Sequence, residues 1–285
     1  MIKYEKNMSI DAREIVEDWV SSTPAVYLKL KEALDDPESS FRELADIISA
    51  DAALTARLLK IVNSPFYGFS SKIETISHAL KIVGTEQLCD LVLAATVMNQ
   101  FRDVPRELVT MESFWRHSIA CGMLARSLAR ERGELNAERY YVGGMLHDIG
   151  SLVIYKKSPK KALELLGRCH EEEKHLYEVE PRIFGFDHGD VGKALLEAWN
   201  LPPSLVEAVS FHHLPGEATL DPGLTQIVHV ADILAYEMKM GSSGEPFVPP
   251  FDEETLKELG LSNKSLKELS QNSHEEIEQA IQMFL

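Results

Sequence analysis

Apolar side chains recur every three or four residues along nearly all of this sequence, whereas sustained alternation of apolar and polar residues is absent. The first pattern puts the apolar groups on one stripe of an α-helix, and the second would put them on one face of a strand. The segments end at clusters of glycine, proline, asparagine or serine, which interrupt helices. The sequence therefore predicts an all-α fold.

Local capping signals support several of the helices. Glu43 follows Ser40 by three residues, which is a capping-box pattern, and Asp51 can cap the helix that comes after it. The stretch Asn63-Ser64-Pro65, with Gly68, breaks the chain after that helix. Further helices are predicted at residues 75–83, 86–101, 111–132, 136–146, 159–172, 189–199, 204–211 and 224–240.

The length of the chain bounds its domain organisation. With 285 residues, it reaches the size at which a single hydrophobic core stops growing, so two packed helical lobes are expected. A break at residues 102–105 precedes a long helix and predicts an N-terminal lobe over 1–105 and a C-terminal lobe over 106–285. Residues 240–251, rich in glycine, serine and proline, predict a loop or lid before the final helices.

Charge and cysteine usage narrow the possible partners and compartments. A formal net charge of -16 repels phosphate backbones and anionic headgroups, so neither nucleic acid nor a membrane is an expected partner. No run is long enough to span a bilayer, and the N-terminal stretch is too charged for a signal peptide, so a cytoplasmic location is expected. Cys89, Cys121 and Cys169 lack CxxC spacing and are predicted to be buried free thiols.

His147 and Asp148 form the strongest local signal for chemistry. They follow an apolar helix and precede Gly150, which we interpret as a helix end. An imidazole nitrogen and a carboxylate oxygen together suit iron, manganese, nickel or zinc, whereas an all-oxygen site favours magnesium or calcium. A His-Asp pair taken alone is more often a capping or surface feature.

Other histidines and aspartates lie in helical surroundings before and after this pair. His117 and Asp232 have apolar neighbours and are expected to point inward, where an unsatisfied polar group costs free energy. A shared metal would satisfy several such groups at once. The alternative is that each residue is a hydrogen-bonded core group or a cap. The candidate ligands are His117, His147, Asp148, His188, His212, His213 and Asp232.

The order of these residues resembles that of the metal-dependent phosphohydrolase superfamily named for its HD motif, especially its HD-GYP branch, over residues 111–240. The resemblance implies one or two metal ions, with iron placed first and manganese, nickel or zinc as alternatives. Asp148 would be the bridging carboxylate and the candidate catalytic residue. The first ion would be held by His117, His147 and Asp232. The second would be held by His188, His212 and His213.

Three positions depart from the HD-GYP pattern. Ser151 stands where that branch has a lysine that can stabilise charge on a phosphate. Residues 214–219 contain no Gly-Tyr-Pro signature. Ser113 occupies the position, four residues before His117, where that branch can supply a glutamate ligand. Hydrolysis of cyclic di-GMP therefore loses support.

The first half of the chain resembles the HDOD family. The resemblance lies in DAALTARLL at residues 51–59, LLKIVNSPFYG at 58–68 and IETISHALKIVG at 73–84, and it extends over about residues 15–240. It implies a regulatory or output module in bacterial signalling, in a family that often lacks an intact metal site. This chain departs from that pattern by keeping the ligands.

Aromatic side chains in this sequence can either pack in the core or form a surface that binds a partner. Phe66, Tyr67 and Phe69 form an aromatic turn, for which we favour packing over an exposed docking surface. Tryptophans at helical spacing among apolar residues are predicted to lie in the core, and they are Trp19, Trp115 and Trp199.

Two functions are compatible with these features. The first is a non-catalytic HDOD-type signalling module with an unidentified protein partner, in which a bound metal braces the second lobe or senses metal availability. The second is a metal-dependent phosphohydrolase acting on a nucleotide or related phosphorylated small molecule, with a metal-activated water as nucleophile. Oxygen-dependent di-iron chemistry is a more distant third.

Overall fold

The computed structural model describes residues 11–20, 24–64, 67–69, 71–98, 100–101 and 104–285, and every regular element in them is a helix. The all-α prediction is confirmed. The N-terminal half contains α1 (Ala12–Val20), α2 (Ala25–Asp35), α3 (Phe41–Ser49), α4 (Ala52–Val62), α5 (Ile76–Val83) and α6 (Thr85–Val97).

The C-terminal half begins with the longest run of buried helix. Its first helices are α7 (Met111–Glu131), α8 (Ala137–Leu146), α9 (Ile149–Lys157), α10 (Pro159–Glu172) and α11 (Leu176–Ile183). They are followed by α12 (His188–Ala198), α13 (Pro203–Phe211), a 3-10 turn (Pro215–Glu217), α14 (Pro222–Glu237), α15 (Glu253–Glu258) and α16 (Asn263–Phe284). Among the residues described, no helix is long and apolar enough to cross a membrane.

The predicted caps are present where the sequence placed them. The Ser40 hydroxyl accepts a hydrogen bond from the Glu43 amide at 3.2 Å, and Asp51 accepts one from the Leu54 amide at 2.9 Å. Asn63 ends α4 through its side chain, which bonds to both backbone groups of Ile73. Pro65 of the same break lies outside the described residues.

Gly150 was wrongly predicted to end a helix. It is the second residue of α9, a helix that was not predicted from the sequence. A Cβ at this position would lie 2.0 Å from the carbonyl oxygen of His188. The glycine therefore lets α9 and α12 pack backbone to backbone, which fixes the distance between Asp148 and His188.

One hydrophobic core runs through both halves of the described chain. The Trp199 indole donates a hydrogen bond to the backbone oxygen of Trp19 at 3.1 Å, and the Trp19 ring stacks on Phe101 with centroids 4.4 Å apart. Trp115 and all three cysteines are buried as predicted. Because the core is continuous across residue 105, the division into two lobes at that point stays a prediction.

Tyr67 packs between the two halves. Its ring lies 4.5 Å from the guanidinium carbon of Arg126, which is bound to Glu138 at 2.9 Å in a buried ion pair. This contact favours the packing interpretation for Tyr67, whereas Phe69 is 37% exposed. Phe66 lies outside the described residues.

Candidate metal centre

Most of the candidate ligands lie at the ends of helices. His147 is the C-terminal cap of α8, Asp148 precedes the first residue of α9, and His212 caps α13. Asp148 makes no side-chain capping bond to α9. Its carboxylate is consequently free to face the interior, where His117 on α7 and Asp232 on α14 also lie.

The first group of ligand atoms surrounds one oxygen of Asp148. His147 Nε2 lies 3.0 Å from Asp148 Oδ2 and 3.3 Å from Asp232 Oδ1. His117 Nε2 lies 2.9 Å from Asp232 Oδ1 and 3.8 Å from Asp148 Oδ2. The donor atoms of all four residues are within 4.8 Å of one another, a spacing that one cation can fill.

The second group surrounds the other oxygen of the same carboxylate. His188 Nε2 lies 3.3 Å from Asp148 Oδ1, and His212 Nε2 lies 3.6 Å from it. The Nε2 atoms of His188 and His213 are 3.0 Å apart. All seven predicted residues therefore meet, in two groups that share Asp148.

Hydrogen bonds on the far side of three imidazoles set their orientation. His147 Nδ1 lies 2.6 Å from the Gly144 carbonyl oxygen, and His212 Nδ1 lies 2.8 Å from that of Val209. His188 Nδ1 lies 2.7 Å from Glu180 Oε2, a carboxylate oxygen that also accepts from the His188 amide. Since each partner is an acceptor, Nδ1 carries a proton and Nε2 faces the cluster.

The donor set fits a transition-metal ion. His147 Nε2 is buried and makes no hydrogen bond of acceptable geometry to any described residue, although it lies beside two carboxylates. The close Nε2 atoms of His188 and His213 cannot both accept without a cation or proton between them. Imidazole nitrogens mixed with carboxylate oxygens suit iron, manganese, nickel or zinc.

The electrostatics of the centre keep its carboxylates ionised. Burial alone would raise the pKa of Asp148 and Asp232, but the neighbouring histidines hold both values well below the ordinary range. Burial would likewise lower the pKa of His188, yet Glu180 and Asp148 raise it to about 10. His213 has a lowered pKa because it is buried beside His212 and His188. Among the ligands themselves, the second group contains one carboxylate, Asp148, whereas the first contains Asp148 and Asp232.

The predicted loop at 240–251 is bonded to helices that carry the first group, and we refer to residues 241–247 as the strap. The Ser242 amide donates to the Ser113 hydroxyl at 3.0 Å, at the start of α7. The Tyr155 hydroxyl of α9 donates to the Ser243 carbonyl oxygen at 3.0 Å. The Tyr236 hydroxyl of α14 and the Ser243 hydroxyl are 2.7 Å apart. The strap therefore joins three helices that meet at the centre.

The far end of the strap reaches α11. Glu245 is buried and accepts a hydrogen bond from the Leu176 amide at 2.9 Å, with His175 Nδ1 at 3.3 Å. The rings of His175 and Tyr177 stack, and Tyr177 stacks in turn on His213 with centroids 4.5 Å apart. His213 is partly exposed, whereas the other six ligands are at most 3% exposed. The second group therefore has the only partly open ligand of the seven.

The three positions that depart from the HD-GYP pattern lie in different surroundings in the structure. Ser151 is fully buried, and its hydroxyl has no hydrogen-bond partner among the described residues. The Ser113 hydroxyl is hydrogen-bonded to both the carbonyl oxygen and the amide of Ser242 in the strap. Residues 215–217 form a 3-10 turn, after which the amides of Thr219 and Asp221 donate to Glu207.

Sequence reasoning missed the residues that support the ligands. Glu180 is fully buried on α11 and orients His188, but its position eight residues earlier carries no periodic signal. Tyr236 could have been found, because it follows Asp232 by four residues and so shares its helix face. Its ring lies 4.1 Å from that of His117.

Solved structures with the same architecture come from several bacteria. An HDOD domain protein of unknown function from Geobacter sulfurreducens is 24% identical, with a TM-score of 0.76, covering 96% of this chain and 98% of that one. A Shewanella amazonensis protein, provisionally described as a phosphohydrolase, is 21% identical, with a TM-score of 0.74 and coverages of 95% and 98%. At these identities the likeness establishes the fold.

The helical fold and the ordered histidine and aspartate cluster define an HD-like helical protein. The family model of the HDOD domain matches residues 20–215, and the chain belongs to the HDOD family. An uncharacterized protein of Treponema pallidum (strain Nichols) is 28% identical over 201 residues, which are 69% of this chain. The match covers 38% of that relative's length.

Proposed function

We propose that this chain is a non-catalytic regulatory module of bacterial signal transduction. In this proposal the cluster binds one or two transition-metal ions, iron in the first place, and the ions brace the packing of α7, α8, α12, α13 and α14. The helical body then presents a surface to a signalling protein. The metal would act as a structural element or as the quantity that is sensed.

The enclosure of the ligands is the observation that carries the proposal. Hydrolysis at a metal pair requires the phosphoester to reach the ions, because the metal both activates water and neutralises charge on the phosphate. Here six of the seven ligand side chains are at most 3% exposed, and the strap is hydrogen-bonded to α7 and α9, which lead into the site. The second support is Ser151, which offers no cationic side chain beside the cluster.

The test combines metal content with turnover. The protein is purified without chelator, and metal per chain is measured by elemental analysis for the wild type, Asp148→Ala and the exposed control Asp46→Ala. We expect metal in the wild type and the control, a marked loss in Asp148→Ala, and no steady hydrolysis of a phosphoester panel with added manganese or iron. A wild-type protein that contains no metal and takes none up would refute the metal site.

The second candidate function is a metal-dependent phosphohydrolase. It is favoured by the position of Asp148, whose two oxygens each face one group of ligands, as a carboxylate bridging two ions would. Bound ions would supply an activated water and charge stabilisation. Turnover that is present in the wild type and in Asp46→Ala but lost in Asp148→Ala would establish this candidate and overturn the non-catalytic one.

A further inference from the structure

A cleft of about 250 Å³ lies away from the metal centre, where the two halves of the chain meet. Helices α2 and α6 form one wall, and α8 and α13 form the other. Six of its lining side chains carry the argument, and they are Tyr27, Lys31, Leu34, Asp90, Arg139 and Leu205.

The Tyr27 hydroxyl is available to a ligand in the cleft. The side chain is only 2% exposed, and its hydroxyl makes no hydrogen bond to a described residue, yet it lines the cleft. Burial raises the pKa of this phenol beyond its ordinary range, so the group is neutral and can both donate and accept. Because it faces the cleft, the hydroxyl can bond to a polar group of a ligand in place of water.

Charged side chains of both signs line the cleft. Asp90 uses one carboxylate oxygen to accept a hydrogen bond from the Asn136 amide group at 3.3 Å. Arg139 reaches the Ser204 hydroxyl with one nitrogen of its guanidinium, so its remaining N–H groups can serve a second acceptor. Lys31 adds a second cation from α2, on the wall opposite Arg139, where it pairs with the exposed Asp35 at 3.6 Å.

The volume of the cleft limits what can enter it. Sites for drug-sized molecules and nucleotides span roughly 300 to 1,000 Å³, so a cleft of about 250 Å³ is too small for them. Leu34 and Leu205 add apolar surface to the lining. The ligand must therefore be small, carry both a cationic and an anionic group, and have a short body.

We propose that this cleft binds a free amino acid or a similar small zwitterion. Its ammonium group would pair with Asp90, its carboxylate with Arg139 and Lys31, and the Tyr27 hydroxyl would bond to either group. Such a ligand would clamp α2 and α6 onto α8 and α13. Because α8 ends at His147 and α13 ends at His212, occupancy of the cleft would bear on the helices that carry the metal ligands.

The experiment measures binding of single L-amino acids by thermal shift and calorimetry, with acetate and methylammonium as half-ligand probes. At least one amino acid should bind the wild type. Asp90→Asn should weaken it by about tenfold, because a buried charge-assisted bond is lost, and Tyr27→Phe by about fivefold. The exposed control Glu38→Gln should leave the affinity unchanged.

Three results would overturn the proposal. The first is that no amino acid binds the wild type. The second is that affinity stays the same in both Asp90→Asn and Tyr27→Phe. The third is that acetate or methylammonium alone binds as tightly as the amino acid, which would make the site one for a simple ion. Repeating the titration on chelator-treated protein separates this proposal from the metal-based one, since the cleft contains no metal ligand.

Discussion

Glu180 is a buried carboxylate that controls the protonation and orientation of His188 without being a candidate metal ligand itself. It accepts hydrogen bonds from both the backbone amide and Nδ1 of His188, so it fixes the tautomer and the direction of the ring. A negative charge behind an imidazole also increases the basicity of the nitrogen that faces the cluster.

The substitution Glu180→Gln is therefore expected to weaken metal binding. Glutamine keeps an acceptor but loses the charge, and partners of this kind change metal affinity by about 10-fold to 100-fold. The measurement is competition with a chromophoric chelator, with Glu171→Gln on the exposed face of α10 as control. Equal affinities for Glu180→Gln and the wild type would show that Glu180 has only a packing role.

At the scale of elements, the contact between α9 and α12 sets the distance between Asp148 and His188. A Cβ on Gly150 would meet the His188 carbonyl oxygen at 2.0 Å and the Gly192 nitrogen at 2.7 Å, and both are backbone atoms that cannot move independently. The two helices would have to separate, and Asp148 would move away from His188 with them.

We expect Gly150→Ala to lower the free energy of unfolding by about 1–3 kcal/mol, the usual range for overpacking. The matched control is Gly167→Ala in α10, where an added Cβ meets no atom within 4 Å. That change should raise stability by about 0.5–1 kcal/mol, since alanine favours helices. Urea unfolding monitored by circular dichroism measures both, and a neutral Gly150→Ala would contradict the close packing.

The strap depends on a second glycine. Gly244 has a φ of +114°, and a Cβ there would lie 2.3 Å from the Tyr155 hydroxyl oxygen. Gly244→Ala should therefore detach the strap from α9. The expected result is faster amide hydrogen exchange in residues 241–247, detected by mass spectrometry, with Gly216→Ala as control because its added Cβ meets nothing. Unchanged exchange would mean that the strap is held without this contact.

At the scale of the whole molecule, Glu207 gives the fold a defined response to acid. Burial would raise its pKa, but amide donors from Asp221, Thr219 and Leu220 hold the pKa below its ordinary value of 4.5. A carboxyl with a depressed folded-state pKa contributes stability above its unfolded-state pKa. That contribution is lost as the pH falls through the lower, folded-state value.

Glu207→Gln should accordingly reduce the stability difference between neutral and acid pH. The wild type should lose stability as the pH falls below about 4.5, and the variant should lose less over that window. The exposed control Glu217→Gln should behave like the wild type. Urea midpoints at several pH values decide the matter, and identical slopes for the wild type and Glu207→Gln would refute it.

The sequence predicted the parts of this molecule that depend on local pattern. The caps at Ser40 and Asp51 and the helical class follow from short-range chemistry. The convergence of the seven candidate ligands was expected from the resemblance to the HD superfamily, and the structure brings them together. Helix α9 was missed because Gly150 is a packing residue, and that role is decided by α12, which lies about forty residues later.

The residues that position the candidate ligands could not be predicted either, because their roles also depend on segments that are distant in the sequence. Glu180 and the strap act through contacts between segments that have no common periodicity. A buried glutamate before a proline inside α11 looks in sequence like any helical glutamate. Only the folded chain shows that its carboxylate faces His188.

The burial of the first ligand group bears on timing as well as on affinity. An ion held by His117, His147, Asp148 and Asp232 could escape only when the chain opens locally, because the protein encloses all four side chains. Openings of this kind take microseconds to seconds or longer and depend on local stability. The rate of metal release would then be set by the stability of the fold. A protein loaded with metal would keep its ion for a time after the metal concentration around it had fallen.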